Sequence, residues 1–373
     1  LNPTAAKSAF KLEHVLSFHP KFIETIARFI ERGNRLVYVM GNHDRELHFP
    51  EVQKVFSGAI ASKTVTGAVP PESIVYEPWF YHVPGELYAE HGNQYDFYSS
   101  FRYVLSPVVK QNREEALALP MGNLSNRYLL TRMGFFNPFS SDFIMNIYRY
   151  LEHWLKYYAF SRRWLFVHWF FGSILVMIEL LREKKLLLFR PQNYPELIDR
   201  TAGAANVPPE MLEKLETLME MPITNRFYRI VREFWIDRLL LSLAFIGGTV
   251  VLALVPIPLW IKLTVPLMGF PLVYFFYEWM ARGESVLTID EDIPNRARMI
   301  AGILKVRVVL FGHTHKPCHI PLGRDINYIN TGTWAPVISR EKKSRMVEGL
   351  RNYAFISICK EDGTTRVEFG SWQ

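Results

Sequence analysis

Three short polar clusters, each following a strand-like apolar run, carry residue types that could bind metal ions. Together they supply seven side chains: Asn42, His43, Asp44, His91, Asn93, His313 and His315. Imidazole nitrogen and amide oxygen, with little sulfur, are ligands that suit Mn, Fe or Zn. A single histidine at a strand end is more often an ordinary hydrogen-bonded residue. The Gly-His-Thr-His unit at 312–315 is a stronger signal, because histidines two residues apart can reach one face at the end of a strand.

The segments around these clusters predict an α/β domain. Residues 4–32 have the apolar spacing of a helix, interrupted at Pro20. Residues 36–40 are short, apolar and β-branched, which is typical of a buried parallel strand. Further strands are predicted at residues 74–92 (two strands), 305–311, 327–334 and 353–358. Ligand sites of open α/β sheets lie beyond the carboxyl ends of strands, which is where the three clusters fall.

The composition narrows the class of protein. The 373 residues are 49% hydrophobic and 21% charged, which excludes a disordered or fibrous chain. Two cysteines exclude a disulfide scaffold and a zinc cluster built from several thiolates. Aromatic residues make up 14%, which indicates a large apolar surface or a membrane interface. The formal net charge of +7 suits an anionic partner, and phosphorylated substrates, acidic lipids and nucleic acids all fit it.

A long insertion interrupts the predicted α/β domain. After residue 96 the strand signals fade, and helical, aromatic sequence punctuated by arginine continues to residue 283. We therefore divide the chain into residues 1–96, which form the first part of the α/β domain, residues 97–283, which form a helical insertion, and residues 284–373, which form the second part of the domain.

The most hydrophobic sequence lies inside this insertion. Residues 239–261 are 23 residues without a formal charge, and residues 263–277 add 15 more after Lys262. One bilayer span needs about 20 apolar residues, so this length predicts an apolar helical hairpin over residues 239–277 with its turn near 256–262. Arginines lie on both sides of the hairpin, as expected for a cytoplasmic face: Arg226, Arg229, Arg232, Arg238 and Arg282. A buried helical cap or a dimer core is the alternative for the same residues.

A third apolar run, residues 164–181, is shorter and contains His168 and Glu179. The segments that flank the insertion must fold together on one side of any membrane, so the number of spans must be even. If the hairpin spans the bilayer, this run does not, and we interpret it as an interfacial or core helix with basic flanks. The flanking cations are Arg162, Arg163, Arg182, Lys184 and Lys185.

Taken together, the clusters resemble the calcineurin-like metallophosphoesterases. The matching motifs are Gly-Asn-His-Asp at 41–44, His91 within Glu-His-Gly-Asn, and Gly-His-Thr-His at 312–315, in the order that the family has them. The resemblance covers about residues 20–100 and residues 300 to 373, and it is specific for the superfamily but not for a substrate. It implies an α/β fold of the metallophosphoesterase type, a layered sheet-and-helix sandwich, interrupted here by a long helical, partly membrane-like insertion.

The resemblance also implies a ligand set for two divalent metal ions, with Mn, Fe and Zn as candidates. Asn42, His91 and His313 would hold one ion, and His315 would belong to the other. Two such ions lie about 3.5–4 Å apart, neutralise the charge of a phosphate and lower the pKa of a bridging water, so that hydroxide is present near neutral pH.

Four further residues receive roles beside the ions. The resemblance implies that His43, oriented by Asp44, stands next to the leaving group as an acid or a charge stabiliser. We predict that Asn93 and Asp96 bind the substrate, and the alternative for Asp96 is the capping of a loop. A turn at residues 330–332 resembles the closing Asn-x-Gly turn of the family, although an ordinary turn fits equally well.

One departure from the family concerns its carboxylates. The family has an Asp-x-His and a Gly-Asp-x-x-Asp upstream of the Gly-Asn-His-Asp, and these supply the bridging ligand. Asp44 is the first aspartate in this sequence, and Glu13, Glu24 and Glu31 lie on predicted helices. We expect the full-length protein to carry both motifs upstream of Leu1. A gene product that begins at Leu1 is expected to lack metal-dependent hydrolysis.

The expected function is metal-dependent hydrolysis of a phosphate ester or a pyrophosphate at a membrane surface. The apolar insertion between metal motifs suggests a membrane-borne substrate, such as a lipid-linked phosphate or pyrophosphate, with the catalytic domain on the cytoplasmic side. One alternative is a soluble or nucleic-acid-directed phosphodiesterase with a helical cap, in which the arginines at 226, 229 and 232 would line a basic groove. The other is an inactive membrane scaffold derived from such an enzyme. The sequence does not specify an oligomeric state.

Overall fold

The computed structural model describes residues 3–111, 114–130, 165–187, 190–280, 289–323, 325–334, 337–339, 345–347, 351–358 and 365–372. The chain forms two compact units. Unit 1 comprises Leu1–Pro222 and Ile293–Gln373, and unit 2 comprises Ile223–Asp292. Four residues used in the sequence predictions lie outside the described part of the chain: Arg162, Arg163, Trp164 and Arg282. The predicted boundary at 283/284 also lies outside it.

Helices and short strands alternate along the chain, so the fold is of mixed α and β structure with small sheets. The helices are α1 (Ala5–Ser17), α2 (Pro20–Glu31), α3 (Pro50–Ala61), α4 (Met121–Ser125), α5 (Leu165–Leu186), α6 (Tyr194–Ala205), α7 (Pro209–Thr217), α8 (Phe227–Glu233), α9 (Ile236–Leu254), α10 (Leu259–Met280) and α11 (Ile289–Leu304). The strands are β1 (Leu36–Val39), β2 (Ile74–Glu77), β3 (Phe80–Val83), β4 (Leu87–Glu90), β5 (Val108–Gln111), β6 (Glu114–Leu117), β7 (Val308–Phe311), β8 (Cys318–Pro321), β9 (Asn327–Asn330), β10 (Val337–Ser339), β11 (Arg345–Val347), β12 (Arg351–Ile358) and β13 (Thr365–Trp372).

The amino-terminal part of unit 1 is a two-stranded sheet with a covering helix. The predicted helical region is confirmed as α1 and α2, and Pro20 occupies the first turn of α2, where its missing N–H costs nothing. The predicted strand at 36–40 is confirmed as β1, which pairs in parallel with β2. Phe56 of α3 packs edge-on against Tyr38 of β1 and Tyr76 of β2, with ring centroids 6.0 and 6.4 Å away. β1 is half-buried, not fully buried as predicted.

Unit 1 also contains a five-stranded sheet in the order β3-β4-β7-β9-β8. β4, β7 and β9 run in parallel, whereas the outer strands β3 and β8 are antiparallel to their neighbours. Aromatic rings fill the core beside this sheet. Phe311 stacks on Tyr95 at 5.3 Å, and Tyr88 stacks on Phe80 at 5.0 Å.

Unit 1 also contains strands that the sequence patterns did not indicate. β5 and β6 form an antiparallel hairpin within the region predicted as helical, and β13 pairs with β12 at the carboxyl end of the chain. β3 and β4 were predicted together with β2 as two strands, and the structure has three. Helices α4 to α7 complete the part of unit 1 that precedes unit 2.

Unit 2 contains the predicted apolar hairpin. Helices α9 and α10 are 19 and 22 residues long, and both are long and apolar enough to cross a membrane. The turn between them covers residues 255–258, and α10 continues through Pro266 and Pro271. At the open end of the hairpin, Arg238 pairs with Glu278 through Nε–Oε1 (2.7 Å) and Nη2–Oε2 (3.2 Å). These two helices permit membrane association of the chain.

Candidate functional site

The parallel strands of the five-stranded sheet bring two of the polar clusters to one edge. His91 follows β4, and Gly312 follows β7, so both lie beyond carboxyl ends of neighbouring parallel strands. The backbone N–H of Gly312 donates to the carbonyl oxygen of His91 at 3.1 Å, which joins the two clusters directly.

The cluster after β1 reaches the same place from the other sheet. A Cβ atom on Gly41 would lie 2.9 Å from atoms of the His91 ring, so the glycine is required for this close approach. Asn42 Oδ1 and His91 Nε2 are 3.0 Å apart. Asn42 is buried, and its side chain faces a histidine 49 residues later in the chain.

The third cluster contributes His313 next to His91. The two imidazole rings have centroids 5.3 Å apart and cross at 67°. His313 Nε2 lies 2.9 Å from Asp96 Oδ2. We predicted that Asp96 binds the substrate. In the structure it contacts Nε2 of His313, and Nδ1 is the other ring nitrogen of that histidine.

Four histidines influence one another at this edge. Burial lowers the pKa of His91 well below its ordinary value, and the charges of His313, His43 and His315 lower it further. The pKa of His43 is also lowered, first by desolvation and then by the charge of His313. The side chain of His43 is nevertheless exposed to solvent. The rings of His43 and His91 are therefore neutral near pH 7, which is the form that binds metal ions.

Both histidines of the Gly-His-Thr-His unit have left-handed backbone conformations. The φ angle is +63° at His313 and +59° at His315. Such conformations cost about 1–3 kcal/mol each in non-glycine residues, and they cluster at functional sites. Asn330 braces this segment, because its Nδ2 donates to the carbonyl of Gly312 at 2.6 Å and to Thr314 Oγ1 at 3.1 Å.

The same asparagine also shapes the turn that follows β9. Asn330 Oδ1 accepts from the N–H of Gly332 at 2.9 Å, and Gly332 has a positive φ of 69°. Asn330 is buried, with 1% of its surface exposed. The predicted Asn-x-Gly turn therefore holds the histidine loop in place.

Asp44 is engaged with its own loop. Its Oδ1 accepts from the N–H of Gly41 at 2.6 Å, and its Oδ2 accepts from the hydroxyl of Tyr38 at 2.7 Å. Burial, together with the charge of Asp44, raises the pKa of that tyrosine. Asp44 still acts on His43 through its charge, which raises the pKa of that histidine against the larger lowering effects.

Asn123 is a site residue that the sequence analysis missed. Its Nδ2 donates to the backbone carbonyl of Asn42 at 2.6 Å, and its Oδ1 accepts from Asn42 Nδ2 at 3.1 Å. This reciprocal pair fixes the amide of Asn42, so that its Oδ1 faces His91. Asn123 lies on α4, 81 residues away in sequence and inside the predicted insertion, where no motif marks it.

Arg45 is a second residue that was missed, although it directly follows the Gly-Asn-His-Asp motif. Its fully buried guanidinium donates to the carbonyls of Pro78 and Val104 and lies over the ring of Phe101, 5.0 Å from the centroid. Burial lowers the pKa of Arg45 to about 10, so it keeps its charge at neutral pH. It ties the loops after β2 and before β5 to the site.

Asn93 lies inside the loop that follows His91. Its amide donates to Gln94 Oε1 at 3.1 Å and to the carbonyl of Ser99 at 2.9 Å, and the side chain is buried. These bonds hold the 93–99 loop, which also carries Asp96. Substrate binding by Asn93 stays a prediction.

Three of the predicted metal ligands lie next to one another: Asn42, His91 and His313. The 3.0 Å spacing of Asn42 Oδ1 and His91 Nε2 is that of a hydrogen bond. It also fits two ligands at right angles around an octahedral ion, each about 2.1 Å from it. His313 lies on the same side. Among the described residues, no group of three or more His, Cys, Asp or Glu side chains is arranged to hold a metal ion. The amide of Asn42 is therefore essential to the candidate set.

No family model, curated protein or solved structure matches the chain. The resemblance to metallophosphoesterases therefore rests on the three sequence motifs alone.

Proposed function

We propose that this protein is a metal-dependent phosphoesterase with a metallophosphoesterase-type layered fold, and that its site lies at the sheet edge where the three clusters meet. The observation that carries the proposal is the approach of Asn42, His91 and His313 from three separate loops, at 3.0 Å and at a ring separation of 5.3 Å. His43 and His91 have lowered pKa values, and His313 and His315 have left-handed backbone conformations. A network of hydrogen bonds alone does not require this combination.

The proposed ligands are divided between two metal ions, as the resemblance implies. Asn42, His91 and His313 would hold one ion, with Asp96 fixing the ring of His313 in the manner of a carboxylate that supports a metal-bound histidine. His315 would serve the other ion. Bound divalent ions would neutralise the phosphate and supply hydroxide near neutral pH.

The remaining residues would contact the substrate or hold the proposed ligands in position. His43 is exposed to solvent, and its lowered pKa leaves the ring neutral, so that it would stabilise charge on the leaving oxygen by donating a hydrogen bond from a ring N–H. Asn123 and Asn330 hold Asn42 and the histidine loop in position. The described residues around the site offer Asp44 and Asp96 as carboxylates, and the bridging ligand of the family stays an expectation.

We further propose that the apolar hairpin anchors the enzyme in a membrane with unit 1 on the cytoplasmic side. The support is the length of α9 and α10, the absence of charge from residues 239–261, and the arginines at the amino-terminal side of the hairpin. A membrane-borne phosphate ester or pyrophosphate, including a lipid-linked one, is the substrate class that such an anchor favours.

The test is phosphodiester hydrolysis by the full-length protein in detergent, with bis-p-nitrophenyl phosphate as substrate and added Mn²⁺. We expect turnover that is lost with a chelator and lost in His91→Ala, because that variant removes a central ligand. The matched control is His14→Ala, an exposed histidine on α1, which should retain wild-type turnover.

Inactivity of the wild-type full-length protein under these conditions would favour the inactive scaffold. Salt-dependent binding of single-stranded DNA, with cleavage that exceeds the rate on the small diester, would instead favour the nucleic-acid-directed phosphodiesterase.

A further inference from the structure

Helix α5 packs into unit 1 through a face that carries both polar and apolar side chains. Ser173, Glu179 and Glu183 are buried, and only 3% of Glu183 is exposed. Glu183 Oε1 accepts a hydrogen bond from the backbone N–H of Leu119 at 3.1 Å. Helix α4 and strand β5 pack against α5. Val176 and Leu180 are buried on the same face. Carboxylates normally lie on the solvent face of a surface helix, so the burial of Glu179 and Glu183 among apolar residues is unusual.

The opposite face of α5 is apolar and exposed. Phe171, Leu175 and Ile178 follow one another at helical spacing, and Phe171 and Ile178 are 59% and 53% exposed. This apolar stripe is about 10 Å long at 1.5 Å per residue. Arg182 and Lys185 continue the same exposed face toward the end of the helix. Along this face, toward the carboxyl end of the helix, apolar side chains are followed by basic ones.

We propose that this face of α5 seats unit 1 on a lipid bilayer that contains anionic headgroups. The apolar stripe of Phe171, Leu175 and Ile178 lies among the upper acyl chains, and Arg182 and Lys185 lie among the phosphates. This arrangement is that of an interfacial helix lying in the membrane plane, whose apolar face enters the acyl boundary while its cations contact anionic headgroups. The proposal deepens the membrane association proposed above and rests on it.

A second copy of the chain fits this face less well. Arg162 and Arg163 precede the helix in sequence, and Arg182, Lys184 and Lys185 end it. In a two-fold pair the helix meets its own copy, so cations oppose cations whether the two helices run parallel or antiparallel. Anionic headgroups meet the same charges with the opposite sign.

For residues 164–181 we predicted an interfacial or a core helix, and the inference selects the interfacial role. This segment does not cross the bilayer, because one of its faces is committed to unit 1 through Glu179 and Glu183. It instead gives the unit that carries the candidate site a membrane contact of its own, separate from the hairpin. A site held at the bilayer in this way suits substrates whose phosphate projects from a lipid.

The test uses the full chain reconstituted into vesicles of phosphatidylcholine and phosphatidylglycerol, with Cys318→Ala and Cys359→Ala as background. A nitroxide is attached through Leu175→Cys or, separately, Ile178→Cys, and its collisions with oxygen and with a polar nickel chelate are measured. Oxygen concentrates in lipid and the chelate stays in water. We expect the oxygen-to-nickel accessibility ratio at both positions to exceed, several-fold, the ratio at Val65→Cys. Val65 is 95% exposed on unit 1 and is expected to face water.

A label at Leu243→Cys, on the exposed surface of α9, reports on the hairpin alone. A lipid-like ratio at 243 with a water-like ratio at 175 and 178 would overturn the inference and leave the hairpin anchor standing. Low accessibility to both reagents at 175 and 178 would also overturn it, because that result indicates a protein partner or a second copy. A water-like ratio at 243 would contradict the anchor itself.

Discussion

Asp96 contacts His313, which we propose as a metal ligand. Its Oδ2 holds Nε2 of His313 at 2.9 Å. We predict that Asp96→Asn weakens Mn²⁺ binding by about 10–100-fold, because loss of the carboxylate makes His313 a poorer and less ordered ligand. Isothermal titration of the purified full-length protein measures this. Asp199→Asn, an exposed aspartate on α6, is the control, and equal affinities of the two variants would contradict the role of Asp96.

His48 makes the stability of unit 1 depend on pH. Burial and the charge of Arg45 lower its pKa from 6.5 to about 4 in the folded protein. The fold therefore favours the neutral ring, so this contribution is complete above pH 6.5 and is lost as the pH falls toward 4. The shift corresponds to about 3 kcal/mol. We predict that the stability difference between wild type and His48→Gln shrinks over this range, as measured by denaturant unfolding in detergent. A difference that is independent of pH would contradict the prediction.

The residue types of the site could be predicted from the sequence, but their conformations and partners could not. The short motifs contain Asn42, His91 and His313, and their positions after apolar strands point to one sheet edge. Nothing in a Gly-His-Thr-His pattern indicates left-handed backbone, because that conformation is imposed by bonds from the distant Asn330. Asn123 was missed for a similar reason, since its partner lies 81 residues away.

The loop between β1 and the 3₁₀ turn at residues 45–48 depends on a small residue at its start. A Cβ on Gly41 would lie 2.9 Å from the His91 ring, so Gly41→Ala must push the ring away from Asn42. We predict a loss of about 1–3 kcal/mol in stability, as for overpacking elsewhere, together with weaker Mn²⁺ binding. Denaturant unfolding and metal titration measure the two effects.

The control for this element is Gly58→Ala, on the exposed side of α3. No atom lies within 4 Å of the added Cβ, and a helical alanine should stabilise the protein by about 0.5–1 kcal/mol. Equal effects of the two substitutions would show that the contact with His91 does not constrain the loop.

Elements with strong periodicity were predicted well, and short polar strands were not. Helices α1 and α2 and strand β7 follow clear apolar patterns, so their types and positions could be read directly. The hairpin of β5 and β6 is only eight residues of strand, carries Lys110, Glu114 and Glu115, and lies in helix-like sequence. The two strands pair with each other, and a bridge from Thr4 to Ala116 adds a contact with the amino-terminal segment, which no local pattern indicates.

At the scale of the whole molecule, the chain combines a net charge of +7 with two uncharged apolar stretches. The charge attracts phosphates and anionic lipids over several ångströms, while the apolar helices require an environment without water. The open end of the hairpin is held by the ion pair of Arg238 and Glu278. Asp237 also lies at this end, and Lys262 is the one charged side chain of α9 and α10 at the turn. Such a separation of polar and apolar regions along one axis is expected of a membrane anchor.

The anchor can be tested by placing charge at its centre. Ile246 and Leu267 lie near the middle of α9 and α10 and are 60% and 75% exposed. An arginine near the centre of a span costs about 2.5–3.5 kcal/mol on insertion scales, so the double variant Ile246→Arg/Leu267→Arg should lose stable membrane insertion. We predict that the wild-type protein stays in the membrane pellet after an alkaline carbonate wash and that the double variant moves largely to the supernatant. Phe10→Arg, on exposed α1 of unit 1, adds the same charge outside the hairpin and should stay in the pellet. Release of the wild-type protein by lysis without detergent would contradict the anchor, because helices with this much exposed apolar surface would then need a protein partner to cover them.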